Sequence, residues 1–391
     1  MTRPPAAIRG LLAAACALAI LPRPAPADAP PPLLTPLFAF PGSTTNPSSG
    51  ASAGLVLADR WLGDEPFANP AAVPGVGVAL SGIMLHVSRQ DLRADNRNFD
   101  ETPAFFDGAG FAVGLPVRGR FGFSLYAFQP VLRQETNAFS RGTGTADPGN
   151  PPATIEAQSS AREVRAGGGL SIAVGPGRVG IGVEWTRRQD SYETVERSGS
   201  PAAGTTRLEL TGDAVGFQLG ARLDHGDSSV GGVSVGLGVR RLPALAVDAP
   251  LTQALLVGTT DSTYRAEREA GWELGSSARV AVSPGFRVLA ALGGRTAQRW
   301  EGFDLAAGRA WEWKLAGEYH DARDPWTLRF GLGQERQSGV PETRADALGL
   351  GLGWRTGWGN VDVGVVHRTL ARAAAPRSFE DRVVLTVRTG R

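Results

Sequence analysis

The 391-residue chain has one cysteine, Cys16, and one lysine, Lys314, among its 40 basic residues. Outside the first thirty residues it has no apolar run approaching the ~18 residues a membrane-spanning helix needs, which excludes a helical membrane protein but not a barrel. Neither sign of charge dominates, with 40 Lys and Arg against 38 Asp and Glu, so the balance gives no reason to expect nucleic acid as a partner. There are four histidines, without a His-Glu-x-x-His spacing or a glycine loop followed by Lys-Ser/Thr, so no metal or other cofactor is expected. Glycine is abundant: 52 residues, about 13% where ~7% is usual, with no collagen-like period of three. A hydrophobic content of 42% and nine tryptophans argue against a disordered chain.

Arg3 and Arg9 precede an apolar run from Gly10 to Leu21, followed by Ala25-Pro26-Ala27. A basic start, a short apolar stretch and a small-x-small site make residues 1–27 a secretory signal peptide, cut after Ala27. Leu12-Ala13-Ala14-Ala15-Cys16 loosely fits a lipid-attachment pattern, but the apolar run continues past Cys16 and favours the first reading. Cleavage after Ala27 leaves an exported chain with no cysteine, which must be stable without disulfides.

From residue 74 to the C-terminus the dominant period is two. Val179, Ile181, Val183 and Trp185 alternate with Gly180, Gly182, Glu184 and Thr186, and Leu348, Leu350, Leu352 and Trp354 alternate with Gly349, Gly351, Gly353 and Arg355. Each such segment has one apolar face and one small or polar face. Fourteen are expected, at 75–88, 107–116, 120–129, 162–174, 178–190, 205–224, 228–242, 262–282, 286–299, 309–320, 325–337, 343–356, 359–370 and 379–391. Tight connections such as Gly175-Pro176-Gly177 alternate with long ones such as 130–161 and 243–261, as in a transmembrane barrel with short periplasmic turns and longer external loops. A soluble sandwich also alternates, but its exterior needs about a quarter charged residues. Here 20% are charged and the second face is rich in glycine. Trp185, Trp311, Trp313, Trp326, Trp354 and Tyr319 fall near strand ends, where aromatic girdles sit. The expected fold is all-β: an antiparallel transmembrane β-barrel of about 14 strands over 74–391.

Residues 28–73 do not alternate. They run from Pro30-Pro31-Pro32 through Gly50-Ala51-Ser52-Ala53-Gly54 and Asp59 to Asn69-Pro70-Ala71. In order and place this resembles the FadL family of outer-membrane long-chain fatty-acid and hydrocarbon transporters, in which a Gly/Ala-rich segment and an Asn-Pro-Ala signature precede a fourteen-stranded barrel. The chain departs from the family at Ala72, where glycine is usual, and at Arg60-Trp61, which interrupts the small-residue run. The resemblance implies that 28–73 folds into the lumen as a plug, or hatch, with Asn69, Pro70 and Ala71 as gating residues. A fourteen-stranded lumen is wide enough to leak unless filled.

Two further features bear on function. The polar face carries Glu163, Arg165, Glu184, Arg222, Asp224, Arg240, Glu273, Arg279, Arg287, Glu312, Lys314, Glu318, Arg329 and Arg355, expected to form ion-pair networks holding plug and strands together. The external segment Leu245–Val257, with Leu245, Leu255 and Leu256, is unusually apolar for a loop. It is either a first contact for a hydrophobic ligand, as the resemblance implies, or a lid buried over the barrel mouth. No enzyme is expected, because no serine–acid pattern accompanies His86 or His367 and because His225 and His320 fall at periplasmic turns. The expected function is passage of hydrophobic small molecules through a monomeric, plugged barrel in the outer-membrane bilayer. A general diffusion porin or a structural outer-membrane protein is the alternative, and an adhesin built on the long loops is a third class.

Overall fold

The computed structural model describes residues 69–71, 77–90, 98–99, 104–117, 120–141, 153–197, 202–225, 231–255, 258–301, 305–320, 324–339, 342–372 and 378–389. The expected signal peptide at 1–27, and all of 28–73 except Asn69, Pro70 and Ala71, lie outside the described residues.

The first strands are β1 (Gly77–Gln90), β2 (Asn98–Phe99), β3 (Ala104–Val117), β4 (Phe121–Arg141), β5 (Ala153–Val174) and β6 (Gly177–Arg197). Next come β7 (Ala202–His225), β8 (Val233–Leu242), β9 (Leu245–Leu255), β10 (Gly258–Arg268), β11 (Gly271–Ser283) and β12 (Phe286–Arg295). The last are β13 (Gln298–Glu301), β14 (Leu305–His320), β15 (Trp326–Gly339), β16 (Thr343–Arg355), β17 (Gly359–Arg372) and β18 (Ser378–Thr389).

Fourteen of these strands close on themselves. β1 pairs with β3 on one side and β18 on the other, and antiparallel links run β3–β4–β5–β6–β7–β8–β11–β12–β14–β15–β16–β17–β18. Among the described residues the ring therefore leaves no strand edge unpaired, which a bilayer requires. The remaining short strands attach at one end of the ring: β9 and β10 form a hairpin, β13 joins β10 to β14, and β2 pairs with β4.

Burial sorts the two faces. Along β6, Gly180, Gly182, Glu184, Thr186, Arg188 and Asp190 are buried, while Val179, Ile181 and Val183 are exposed. Leucines, valines and tryptophans thus point away from the ring, and charged and small residues point into it, the reverse of a soluble protein. On the outside Trp311 marks one edge of the apolar belt on β14 and Tyr319 the other. They are eight positions apart, roughly 27 Å along a strand and about 20 Å along the normal at the usual tilt, close to the height of a membrane band. At the Tyr319 edge Trp326 and Trp354 stack at 5.4 Å. The connections there are short. At Gly175-Pro176 the glycine has φ 57°, and with proline following it gives the sign pattern of a type II′ hairpin turn.

At the other end the strands continue far beyond the belt, and five expected segments change. The segment Leu245–Val257, expected as a loop, is strand β9 as far as Leu255. It pairs with β10 along its whole length and lies beside the outer half of β7, from Thr211↔Asp248 to Gly204↔Leu255. The expected single strand 262–282 is β10 and β11, and 286–299 is β12 and the start of β13. Much of the expected loops 130–161 and 191–204 is strand, in β4, β5, β6 and β7, which reach 21 to 24 residues. About ten residues suffice to cross a bilayer, so this wall stands well outside it.

Candidate functional site

The Asn69-Pro70-Ala71 turn lies inside the ring against β5, β6 and β7, and all three residues are buried. The Asn69 side chain holds it in two directions. Its Nδ2 donates to the Ala221 carbonyl at 3.1 Å, and its Oδ1 accepts from the Ala71 N–H at 2.9 Å. The second bond closes a local Asx turn, a conformation asparagine favours before proline.

The wall beneath the turn is glycine. A methyl group on Gly169 would come 3.2 Å from Pro70 Cβ, and one on Gly180 would overlap the Pro70 carbonyl and lie 2.6 Å from the Ala71 nitrogen. One on Gly220 would overlap Asn69 Oδ1 and lie 2.9 Å from its Cγ. Gly180 and Gly220 face each other across the β6–β7 register. The backbone of the turn thus rests directly on the backbone of the wall.

Above this seat the lumenal wall is tied by charge. Tyr126 donates to Glu184 at 3.0 Å and accepts from Gln218. Arg165 bridges Glu163 at 2.8 Å and Glu184 at 3.3 Å, and Arg240 lies 3.7 Å from Glu184 and 3.4 Å from Glu273. Further up, Glu163 also meets Arg188 and Arg268, each at 3.6 Å, and Arg188 holds Asp190 at 2.8 Å. Glu163 is fully buried with three guanidinium groups around it.

A second network lines β12 to β17. Glu318 takes Arg287 at 3.1 Å and Arg329 at 2.9 Å, and Arg329 also pairs with Asp362. Lys314 pairs with Glu312 at 3.1 Å and Arg368 with Glu335 at 3.3 Å. An open cleft beside it, lined by Glu273, Arg295, Trp311, Glu312 and Glu335 among others, has a cavity volume of only about 20 Å³, too little for a hydrocarbon ligand.

Most of the charges expected in the lumen lie in these networks. Arg355 does not: it is exposed at the short-turn end, 3.2 Å from His320 Nε2. Arg188, Asp190, Arg268, Glu335, Asp362 and Arg368 also take part but were not expected to. Even spacing was the available signal for Arg188 and Asp190 with Glu184, for Glu335 with Arg329, and for Asp362 with Arg368; Arg268 had none.

The apolar candidates do not join the turn. Leu245 is buried at the foot of the β9–β10 hairpin, not exposed in a loop, and Leu242, Leu208 and Leu210 nearby along the chain or on β7 are buried as well. Leu255 lies at the hairpin's far end, its backbone opposite Gly204, and Leu256 is outside the described residues. Sixteen positions of β7 separate Gly204 from Gly220 beneath Asn69, roughly 50 Å along the strand. Of the histidines, His367 has an acidic neighbour that the linear sequence hides. The β17–β18 register sets it opposite Asp381, with Nδ1 2.7 Å from the carboxylate, on the outward face.

No family model matches the chain, and no curated protein matches it. Solved structures do. The toluene transporter TbuX of Ralstonia pickettii superposes with a TM-score of 0.60 at 13% identity, covering 88% of this chain and 97% of TbuX. The CymD monoaromatic hydrocarbon channel gives 0.59 at 13% identity, covering 90% of this chain and 99% of CymD. A FadL homologue of Pseudomonas aeruginosa gives 0.56 at 11% identity, covering 88% and 97%. The fold is that of the FadL-type channels. At these identities the likeness is one of architecture. It extends over nearly the whole of each FadL-type chain, so the Asn69–Ala71 turn belongs to a complete barrel of this type.

Proposed function

We propose that this protein is an outer-membrane channel for hydrophobic small molecules, plugged by 28–73 and exported by way of residues 1–27. The observation that carries the reading is the Asn69-Pro70-Ala71 turn resting on Gly169, Gly180 and Gly220 inside a closed ring of FadL-type fold. A tail hanging outside the barrel would need no such glycine bed. The toluene and monoaromatic hydrocarbon channels of the same architecture support an apolar ligand.

The ligand is taken up at the long-strand end, where the β9–β10 hairpin stands at the mouth with Leu245 buried at its foot and Leu255 at its far end. It then moves inward while the segment around Asn69 shifts off its seat, and leaves through the lumen or the wall. The Arg165–Glu184–Arg240 network keeps the polar side of the lumen closed to it, since an apolar molecule there would separate desolvated ion pairs. The reading assigns no catalytic step and takes the barrel as a monomer.

The test is uptake of radiolabelled toluene and of a long-chain fatty acid by cells with and without the protein. Several-fold faster uptake of at least one is expected, with no gain for a sugar of similar mass. Equal gain for the sugar would identify a general diffusion porin instead.

A further inference from the structure

On the outward face of β14, β15 and β16 the apolar belt ends abruptly in arginine. Leu332 and Leu348, opposite one another and both exposed, are its last aliphatic pair. One step on, Gln334 faces Asp346, and one further, Arg336 faces Arg344. On β14, Trp311 sits opposite Arg336, whose guanidinium lies 5.6 Å from the centre of the indole ring, and Arg309 follows two residues beyond.

Two like charges directly opposite on neighbouring strands repel each other. The groups present do not balance them. Asp346 accepts from Arg344 at 3.0 Å and from Gln334 at 2.6 Å, while Arg336 donates to Gln334 Oε1 at 3.1 Å. Further round, Asp381 is taken by His367. With Asp381 held by His367, the three guanidinium groups of Arg309, Arg336 and Arg344 stand against two carboxylates, Asp346 and the exposed Glu342 two residues before Arg344, a surplus of one positive charge.

The height of this surplus matters as much as its sign. Tryptophan at a belt edge marks the headgroup level of a bilayer. The arrangement recurs around the barrel, where Arg241 lies 5.0 Å over the ring of Trp272. Arginine suits this place, because its planar fork grips phosphate through two parallel hydrogen bonds. The one lysine is kept inside, against Glu312.

We propose that Arg309, Arg336 and Arg344, mounted beside Trp311, bind the phosphate-bearing headgroup of an anionic lipid in the outer leaflet, whose chains lie on Leu332, Leu348 and Leu350. The site is separate from the lumen. It rests on the barrel spanning the membrane with its long-strand end outside, and not on which ligand is transported.

Native mass spectrometry of the full chain in detergent, titrated with phosphatidylglycerol and with phosphatidylcholine, tests this. Wild type is expected to retain the anionic lipid preferentially. Arg336→Ala/Arg344→Ala is expected to weaken retention about tenfold or more, the loss of one or two charge-assisted bonds, while Arg207→Ala, another exposed arginine higher on β7, leaves it unchanged. A heat-modifiable gel shift confirms that each variant is folded. Raising salt on the wild type alone is also expected to reduce retention, as screening demands. Equal retention of both lipids, or undiminished binding by the double variant, overturns the proposal. Displacement by inorganic phosphate at matching concentration overturns it too, because it would show a free-anion site. If acidic peptides bind and lipid does not, the patch is a protein-docking surface and the proposal fails.

Discussion

Asn69 carries more of the turn's attachment to the wall than its size suggests. One carboxamide satisfies a wall carbonyl with its nitrogen and the next turn's N–H with its oxygen. Asn69→Ala leaves the buried Ala71 N–H and the half-buried Ala221 carbonyl without those bonds, a cost of about 1–3 kcal/mol. If that energy holds the closed state, the closed-to-open ratio falls about 5- to 150-fold, measurable as more frequent spontaneous openings in a planar bilayer. Gly180→Val approaches the same seat from the other side. Valine suits a strand, so the barrel is expected to form and shift on gels as wild type does, yet its branched side chain occupies the space of the Pro70 carbonyl. The two variants should open alike, and a Gly180→Val channel as quiet as wild type would show that the turn does not rest there. The Asn-Pro-Ala triplet was legible in the sequence. Its seat was not, because Gly169, Gly180 and Gly220 look like three of many glycines on an alternating face until the register sets them around one turn.

Elements divide by whether both of their faces report on burial. Inside the belt one face meets lipid and the other the lumen, so a period of two is written plainly in β6, β15 or β16. Above it, in 130–141, 153–161 and 191–197, polar residues fall at both odd and even positions of the sequence, the apolar stripe fades, and strands look like loops. The β9–β10 hairpin was hidden for a related reason: Leu245–Leu255 contains Pro250 and mixes apolar residues on both faces, and no turn dipeptide separates β10 from β11. Yet the hairpin is an insertion. Leu242 pairs directly with Gly271, so β8 and β11 are neighbours without it. Replacing Pro243–Ala270 by a two-residue Asn-Gly turn is therefore expected to leave the barrel heat-modifiable while slowing uptake of the hydrophobic ligand; loss of folding would mean that β9 and β10 carry the wall. The charge lattice is the opposite kind of element, one the wall cannot lose. Glu163→Gln leaves Arg165, Arg188 and Arg268 without the carboxylate they share, and a cost of about 3–5 kcal/mol is expected. It should appear as a lower urea midpoint for unfolding from lipid vesicles, and an unchanged midpoint would show that water already screens the site.

At the scale of the whole molecule, a closed ring of fourteen strands raises the question of what fills it. Eight strands are filled by side chains and sixteen or more leave a channel, so fourteen need a separate occupant or must leak. The wall supplies part of it through the two ion-pair networks, and Asn69–Ala71 shows the N-terminal segment reaching inside. If residues 28–73 make up the rest, the intact protein should be nearly silent in a planar bilayer, and a version lacking them should conduct steadily, with the same gel shift. The lattice would persist in the truncated barrel, since its members all belong to strands. The exposed glycine bed, with no side chains to close over it, would stay open to ions. An intact protein that conducts as well as the truncated one would mean that the turn occupies its seat without blocking flow, and the molecule would then be a porin with an anchored tail.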